Sequence, residues 1–279
     1  MTEPKKVIRN VAPKGLTRHD SAESKKSKRK GNETSWGNVA GWYDTLLEKG
    51  DDTYQAKVVL PNLVRAMDLK KGTRVLDLGC GQGFFARAFQ LAGAEVAGVD
   101  ISKELITLAQ KQSPKEIRYF ARSADDLGVF TDGYFDKISL VLAVQNMEAP
   151  HKVFKECMRI LKPGGKLFIV LNHPAFRVLK ESSWGYDEAT KTQYRRVDRY
   201  MSESKVEVDM NPSRPGNTMT ISFHRPLQYY FKTLANAGFR VARLEEWLSH
   251  RESEKGPRKI AEDRARQEIP LFLFLEAQK

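Results

Sequence analysis

The chain has 279 residues, 41% of them hydrophobic and 29% charged, with a formal net charge of +12. That length buries a complete α/β core and leaves room for one insertion or tail. Two cysteines, Cys80 and Cys157, are too few for a disulfide framework, and no long uncharged apolar run reads as a membrane span or secretory signal, so a cytoplasmic protein is expected.

The charge is concentrated at the start. Residues 1–33 carry ten Lys or Arg against four Asp or Glu and almost no apolar side chains. An arm of that composition is expected to stay disordered on its own. Its KKSKRK run at 25–30 suits RNA, DNA or acidic lipid, and such a run also serves as a plain solvated tail. The Arg-rich features of an amphipathic transit peptide are lacking, since Lys dominates and no apolar face is expected. Order is expected from Thr34 onward as one domain, 34–279. Within 34–71, Trp36, Trp42 and Tyr43 cluster ahead of a glycine, and Tyr54, Val58, Leu63 and Met67 recur at roughly helical spacing.

In VLDLGCGQG, residues 75–83, an apolar strand runs into Gly79, Gly81 and Gly83, and FFARAFQLAG then reads as a helix. Glycine at alternate positions permits positive φ and lets a ligand approach the main chain. Gly81, Gly83 and Ala86 also satisfy the dinucleotide pattern G-x-G-x-x-A, with Asp100 at the end of the next strand. Asp77 weighs against that ligand: a carboxylate just ahead of the turn opposes a pyrophosphate but accepts hydrogen bonds from an ammonium group. Asp100 is placed to accept both hydroxyls of a ribose. The two acids together suit a positively charged, adenosine-bearing ligand, although Asp77 also reads as a plain turn or helix-cap acceptor.

From Thr73 strands and helices alternate. Strands are expected at 73–78, 95–99, 117–120, 138–143 and 166–171, and helices at 84–92, 102–112 and 150–161. The fold class that follows is α/β, a Rossmann-like doubly wound and mostly parallel sheet with an antiparallel last strand, binding ligands at the carboxyl ends of its strands. LKPGG at 161–165 stops a helix and turns the chain. The pattern breaks over 172–223, which holds SSWGYD, QYRRVDRY and a predicted hairpin of KVEVDM and NTMTISF around NPSRPG. It resumes with helix RPLQYYFKTLANAGF, strand VARLEEW, a charged segment at 249–268 and strand LFLFLEA. The insertion after the fifth strand is expected to be a substrate cap, or else a structural hairpin over the sheet edge.

Five segments now stand in order: VLDLGCGQG, VAGVDIS, SADDL at 123–127, YFDKISLVLAVQNM at 134–147 and RILKPGGKLFIV at 159–170. In that order and spacing the chain resembles the class I S-adenosylmethionine (SAM)-dependent methyltransferases, most closely the branch with the ubiquinone and menaquinone methyltransferases. The resemblance implies SAM as cofactor. It implies that Asp77 and the loop of Gly79, Gly81 and Gly83 hold the methionine end, Asp100 the ribose and Ile101 an adenine face, with Ala124 and Asp125 at the adenine edge. Relatives often carry an acid where this chain has Ser123. Leu142 and Gln145 are expected between cofactor and substrate, and the helices of 34–71 as a lid to which Tyr43 and Tyr54 contribute.

Methyl transfer from a sulfonium is an in-line displacement, so such an enzyme aligns the nucleophile, excludes water and removes a proton where needed. His173, directly after the fifth strand, is the first candidate base, and Tyr200 is a second candidate catalytic residue. Trp184, Tyr186, Tyr194, His224 and Arg225 are candidate substrate contacts. Their aromatic character suggests a planar or apolar small-molecule acceptor. Two alternatives stand: a tRNA or rRNA methyltransferase gripping phosphates with the basic arm and RRVDR, and a non-catalytic SAM-binding protein. Against the first, QNME occupies the place after the fourth strand where amino-methyltransferases carry N-P-P-[YF]. No metal-spaced cluster occurs, so no metal is expected. The oligomeric state is left open.

Overall fold

The computed structural model describes residues 52–209 and 219–279. The basic arm, Trp36, Trp42, Tyr43 and the turn of the predicted hairpin lie outside the described residues.

A turn of π-helix, Gln55–Val59, leads into α1 (Leu60–Met67). The alternating core follows: β1 (Arg74–Leu78), α2 (Phe84–Leu91), β2 (Glu95–Asp100), α3 (Lys103–Gln112), β3 (Arg118–Ala121), β4 (Phe135–Val141), α4 (Pro150–Ile160) and β5 (Leu161–Asn172). The insertion holds β6 (Ser182–Asp187), β7 (Thr192–Val197), β8 (Ser204–Asp209) and β9 (Met219–His224). Then come α5 (Leu227–Asn236), β10 (Arg240–Trp247), α6 (Lys259–Glu268) and β11 (Phe272–Gln278). Seven strands form one sheet in the order β10-β11-β5-β4-β1-β2-β3, in which β11 alone runs against its neighbours. The expected Rossmann-like sheet with an antiparallel last strand is present.

The central strands are buried on both faces, and their side chains divide by alternation. Leu76, Leu167, Ile169 and Leu171 pack with Phe154 of α4 and Tyr230 of α5. Val75, Phe168 and Val170 pack on the opposite side with Leu63 and Met67 of α1 and Phe89 of α2. β1 lies between β2, which follows it in the chain, and β4, which follows only after β3. The winding reverses there, and the two connections leave a crevice at the carboxyl end of β1.

The start of β5 differs from the sequence expectation. Leu161 already pairs with Phe135, and the register then shifts so that Lys166 pairs with Lys137. LKPGG is therefore a bulge within the strand, with Gly164 at φ 75°, and not a turn before it. In the insertion, β8 and β9 pair antiparallel as predicted. The β6–β7 hairpin was not predicted. Its signal was local: Asp187 Oδ1 accepts hydrogen bonds from the backbone N–H groups of Ala189 and Thr190, closing the turn between two alternating segments.

Gly98, in the middle of β2, is required by packing. A Cβ there would lie 2.5 Å from Tyr119 Cδ1 and 3.0 Å from Cys80 Sγ. Gly98→Ala is expected to lower stability by about 1–3 kcal/mol through overpacking. Urea unfolding should show most of that loss relieved when Tyr119→Ala is present as well.

Candidate functional site

Asp100, at the end of β2, holds the loop after β1. Its Oδ2 accepts from the Gly81 N–H at 3.0 Å and its Oδ1 from the Ser102 N–H at 2.9 Å. Gly79 N–H and Cys80 N–H both donate to the Val99 carbonyl. This path needs positive φ, 72° at Gly79 and 54° at Gly81, and a Cβ on Gly79 would stand 2.6 Å from that of Ala143.

Asp77 lies beneath this loop and is 1% exposed. Its Oδ1 accepts from Ser139 Oγ at 2.9 Å. Its Oδ2 makes no hydrogen bond among the described residues, and the Ala86 backbone N–H faces the carboxylate from α2. Burial pushes the carboxyl up to about 7. A buried carboxylate oxygen with no donor is costly, and a ligand ammonium supplies both donor and charge.

A cavity of about 460 Å³ opens over the loop, within the range of small-ligand sites. Gly79 and Gly81 contribute to one side, Asp100 and Ile101 to the end of β2, Ser123 to Asp125 to the turn after β3, and Leu142 and Met147 to the segment after β4. Ile101 presents an apolar, 44% exposed side chain there, while Ser123 Oγ donates to Asp125 Oδ1. Leu142 is held at φ 52°, a costly conformation for a branched residue, by its N–H to the Val170 carbonyl and by Gln145 and Asn146 amides donating to its own carbonyl. The orphaned Asp77 oxygen, the glycine cradle and the Ile101 surface fit an adenosine with a cationic tail.

Residues 76–169 match the model of a family described as a methyltransferase domain. A ubiquinone biosynthesis O-methyltransferase from Xanthomonas oryzae pv. oryzae is 35% identical over 101 residues, covering 35% of this chain and 42% of that enzyme. One from Xanthomonas campestris pv. campestris is 32% identical over 121 residues, covering 42% and 46%. The matched region thus spans less than half the length of either relative. The crystal structure of an S-adenosylmethionine-dependent methyltransferase from Mesorhizobium loti aligns with a TM-score of 0.64 at 25% identity, over 82% of this chain and 99% of that one. Residues 76–169 are thus similar to a methyltransferase domain, and the fold is shared with a SAM-dependent methyltransferase. SAM is the cofactor for which that structural neighbour is named.

Of the residues expected at the cofactor site, Gly79, Gly81, Asp100, Ile101, Ala124, Asp125 and Leu142 line the cavity, with Asp77 beneath it. Gly83 does not line it: a Cβ there would meet Tyr119 Oη at 2.3 Å, so this glycine serves the packing of α2. Gln145 turns away, donating through Nε2 to the Leu142 carbonyl, and Asn146 takes the place at the cavity. Tyr54 stands where β10 ends and β11 begins, edge-on to His250 and Phe272, with its hydroxyl 3.2 Å from Ser249 Oγ.

His173, the expected base, does not line the cavity. It is buried, its Nε2 lies 2.7 Å from Glu246 Oε1, and its Nδ1 accepts from the Ala175 N–H at 3.3 Å. Both ring nitrogens are engaged away from the cavity, and burial holds the imidazole below its usual pKa. Tyr200 is likewise structural: its hydroxyl accepts from the Leu227 N–H at the start of α5, and its carbonyl accepts from His224 Nε2. Arg225 reaches the wall of the cavity from outside, donating to the Met147 and Glu148 carbonyls. Trp184 lies under Arg177 and Arg195, Tyr186 under Arg258, and Tyr194 is half exposed over Gly185.

Sequence reasoning missed Gln82, Leu105, Arg122, Met147 and Lys152, which also line the cavity. Gln82 and Met147 fall inside the motifs already singled out. Arg122 and Lys152 arrive only through the packing of separate turns. Among the described residues no group of three or more His, Cys, Asp or Glu is placed to hold a metal, and no helix is long and apolar enough to cross a membrane.

The raised Asp77 pKa has a consequence for stability. Between about pH 4 and 7 the folded state retains a proton that the unfolded chain gives up, so stability falls as pH rises through this window. Asp77→Asn removes that penalty. In urea unfolding without ligand, the variant should match wild type near pH 4 and exceed it by on the order of 2–4 kcal/mol at pH 8.

Proposed function

We propose that this chain transfers a methyl group from SAM to a small-molecule acceptor. The observation that carries the reading is the unpartnered, buried Asp77 oxygen below a glycine loop that Asp100 holds open. Asp77 would take the ammonium of the methionine end, and the free lone pairs of Asp100 the ribose hydroxyls. Ile101, Leu105, Ala124 and Asp125 would enclose the adenine. Leu142 and Met147 would exclude water on the side where the acceptor enters. In the displacement, the acceptor's lone pair forms a bond to the methyl carbon, the carbon–sulfur bond breaks and its electron pair stays on sulfur, and any proton leaves the acceptor.

The two Xanthomonas relatives are named for O-methylation in ubiquinone biosynthesis, which supports a small-molecule acceptor. The insertion at 172–223 supports a cap role through the Arg225 and Ser222 contacts that fasten its hairpin beside the cavity. The ten cations of residues 1–33 favour a second reading, an RNA acceptor. Salt-sensitive RNA binding that disappears when those residues are deleted would support that reading.

Calorimetric titration of SAM and S-adenosylhomocysteine, with NAD as competitor, tests the cofactor site. Asp77→Asn is expected to weaken both sulfur ligands by about 10- to 100-fold, the value of a charge-assisted hydrogen bond. In wild type their affinity should fall as pH drops below about 7, because protonation of Asp77 removes the attraction for the ammonium; in the variant this pH dependence should vanish. Tight binding of NAD instead would return the loop to a dinucleotide.

A further inference from the structure

At the carboxyl end of β5, one strand beyond the cavity, guanidinium groups gather without a counter-charge. Arg177 and Arg195 both lie over the Trp184 ring, their Cζ atoms 5.9 and 5.1 Å from its centroid. Arg266 of α6 faces Arg177 as well. Neutral acceptors fix two of the three: Arg195 donates Nε to the Phe176 carbonyl and Nη2 to Ser182 Oγ, and Arg266 donates Nε to Ser253 Oγ. Arg177 Nε is buried without any acceptor, and none of the three forms an ion pair among the described residues.

The neighbouring carboxylates are committed elsewhere. Glu181 pairs with Arg199, Glu188 with Lys191 and Arg258, Glu246 with His173, and Asp263 with Lys259. Arg251 adds a further cation over Tyr54, which itself faces Arg177. Like charges at about 4 Å repel by about 1 kcal/mol in water and by more where water is excluded. Burial and the charge of Arg195 both hold Arg177 below its usual pKa. Fixed, half-buried and mutually repelling guanidinium groups are relieved by an anion.

Resting on the methyltransferase reading, we propose that Arg177, Arg195 and Arg266 bind an anionic oxygen group, a carboxylate or phosphate, carried by the small-molecule acceptor. The planar forks of arginine match both groups. Trp184 holds two of the guanidinium groups against its ring. β4, which ends at the cavity, and β5, which leads to Arg177, are neighbours in the sheet, so an acceptor that reaches both would lie across their ends.

The test uses the full-length protein, titrated calorimetrically at fixed ionic strength with benzoate, inorganic phosphate and the neutral isostere benzamide, with SAM binding measured on the same samples. Saturable binding of benzoate or phosphate but not benzamide is expected, weakened at least about tenfold in Arg177→Gln and in Arg195→Gln, with SAM affinity within about twofold of wild type. Arg195→Lys keeps the charge and loses the fork, so it should show an intermediate loss. If the glutamine variants at 177 and 195 unfold, this variant and Arg266→Gln carry the comparison. Equal binding of benzoate and benzamide, or anion binding unchanged in every variant, overturns the proposal. So does SAM binding with no anion affinity, a result that leaves the methyl-transfer reading in place. Arginine-dependent anion binding without SAM binding removes the acceptor assignment together with the cofactor reading. An RNA oligonucleotide that displaces phosphate from the same arginines overturns the small-molecule acceptor in favour of nucleic acid.

Discussion

The cavity depends on the carboxylate of Asp100 joining two turns that are distant in sequence. Parallel pairing sets Leu78 level with Val99, so the residue after Val99 comes beside the glycine loop that leaves β1. By accepting from Gly81 and Ser102, Asp100 fixes the floor of the cavity and the entry to α3 at once. These two hydrogen bonds favour the charged form, yet burial outweighs them and the pKa stays raised. Each carboxylate oxygen keeps a second lone pair. The side chain that builds the cavity is therefore also free to bind a ligand in it.

A second set of contacts ties the insertion to that floor. Arg225 follows β9, is 4% exposed and lies between the rings of Phe223 and Tyr229. Its donation to the Met147 and Glu148 carbonyls, with Ser222 Oγ donating to the Gln145 carbonyl, links the β8–β9 hairpin to the segment that forms the cavity wall after β4. A guanidinium buried on two backbone carbonyl oxygens, with the exposed Glu203 carboxylate 3.9 Å from its Nε, positions backbone. The residue first read as a substrate contact thus acts on the shape of the site.

Buried polar groups divide into those the fold satisfies and those it leaves open. Glu276, 5% exposed in β11, is clamped by Lys166 and Arg243 at 2.6 and 2.5 Å, and its pKa is lowered despite burial. Asp77 is as deeply buried with no cation beside it, and its pKa is raised. The two cations beside Glu276 hold its carboxyl low, and with none beside Asp77 burial raises it. Asp77 and the arginines by Trp184 are groups the fold leaves without a counter-charge among the described residues.

The sheet was legible in the sequence because its signals are local. Apolar runs such as Val75 to Leu78 and Phe168 to Leu171 are bounded by glycine, and the alternation with helices admits few topologies. The glycine loop and the two acids were legible for the same reason, since a turn after a strand needs positive φ at fixed positions. The directions of His173, Tyr200 and Tyr54 were not legible, because position in the chain does not specify where a side chain turns: each meets a partner, Glu246, Leu227 or Ser249, from another part of the chain. Residue order determined the α/β sheet, the place of the crevice and the chemistry of its floor. Only the tertiary structure decided which side chains face that crevice, because facing is set by hydrogen-bond partners many residues away that no local pattern encodes.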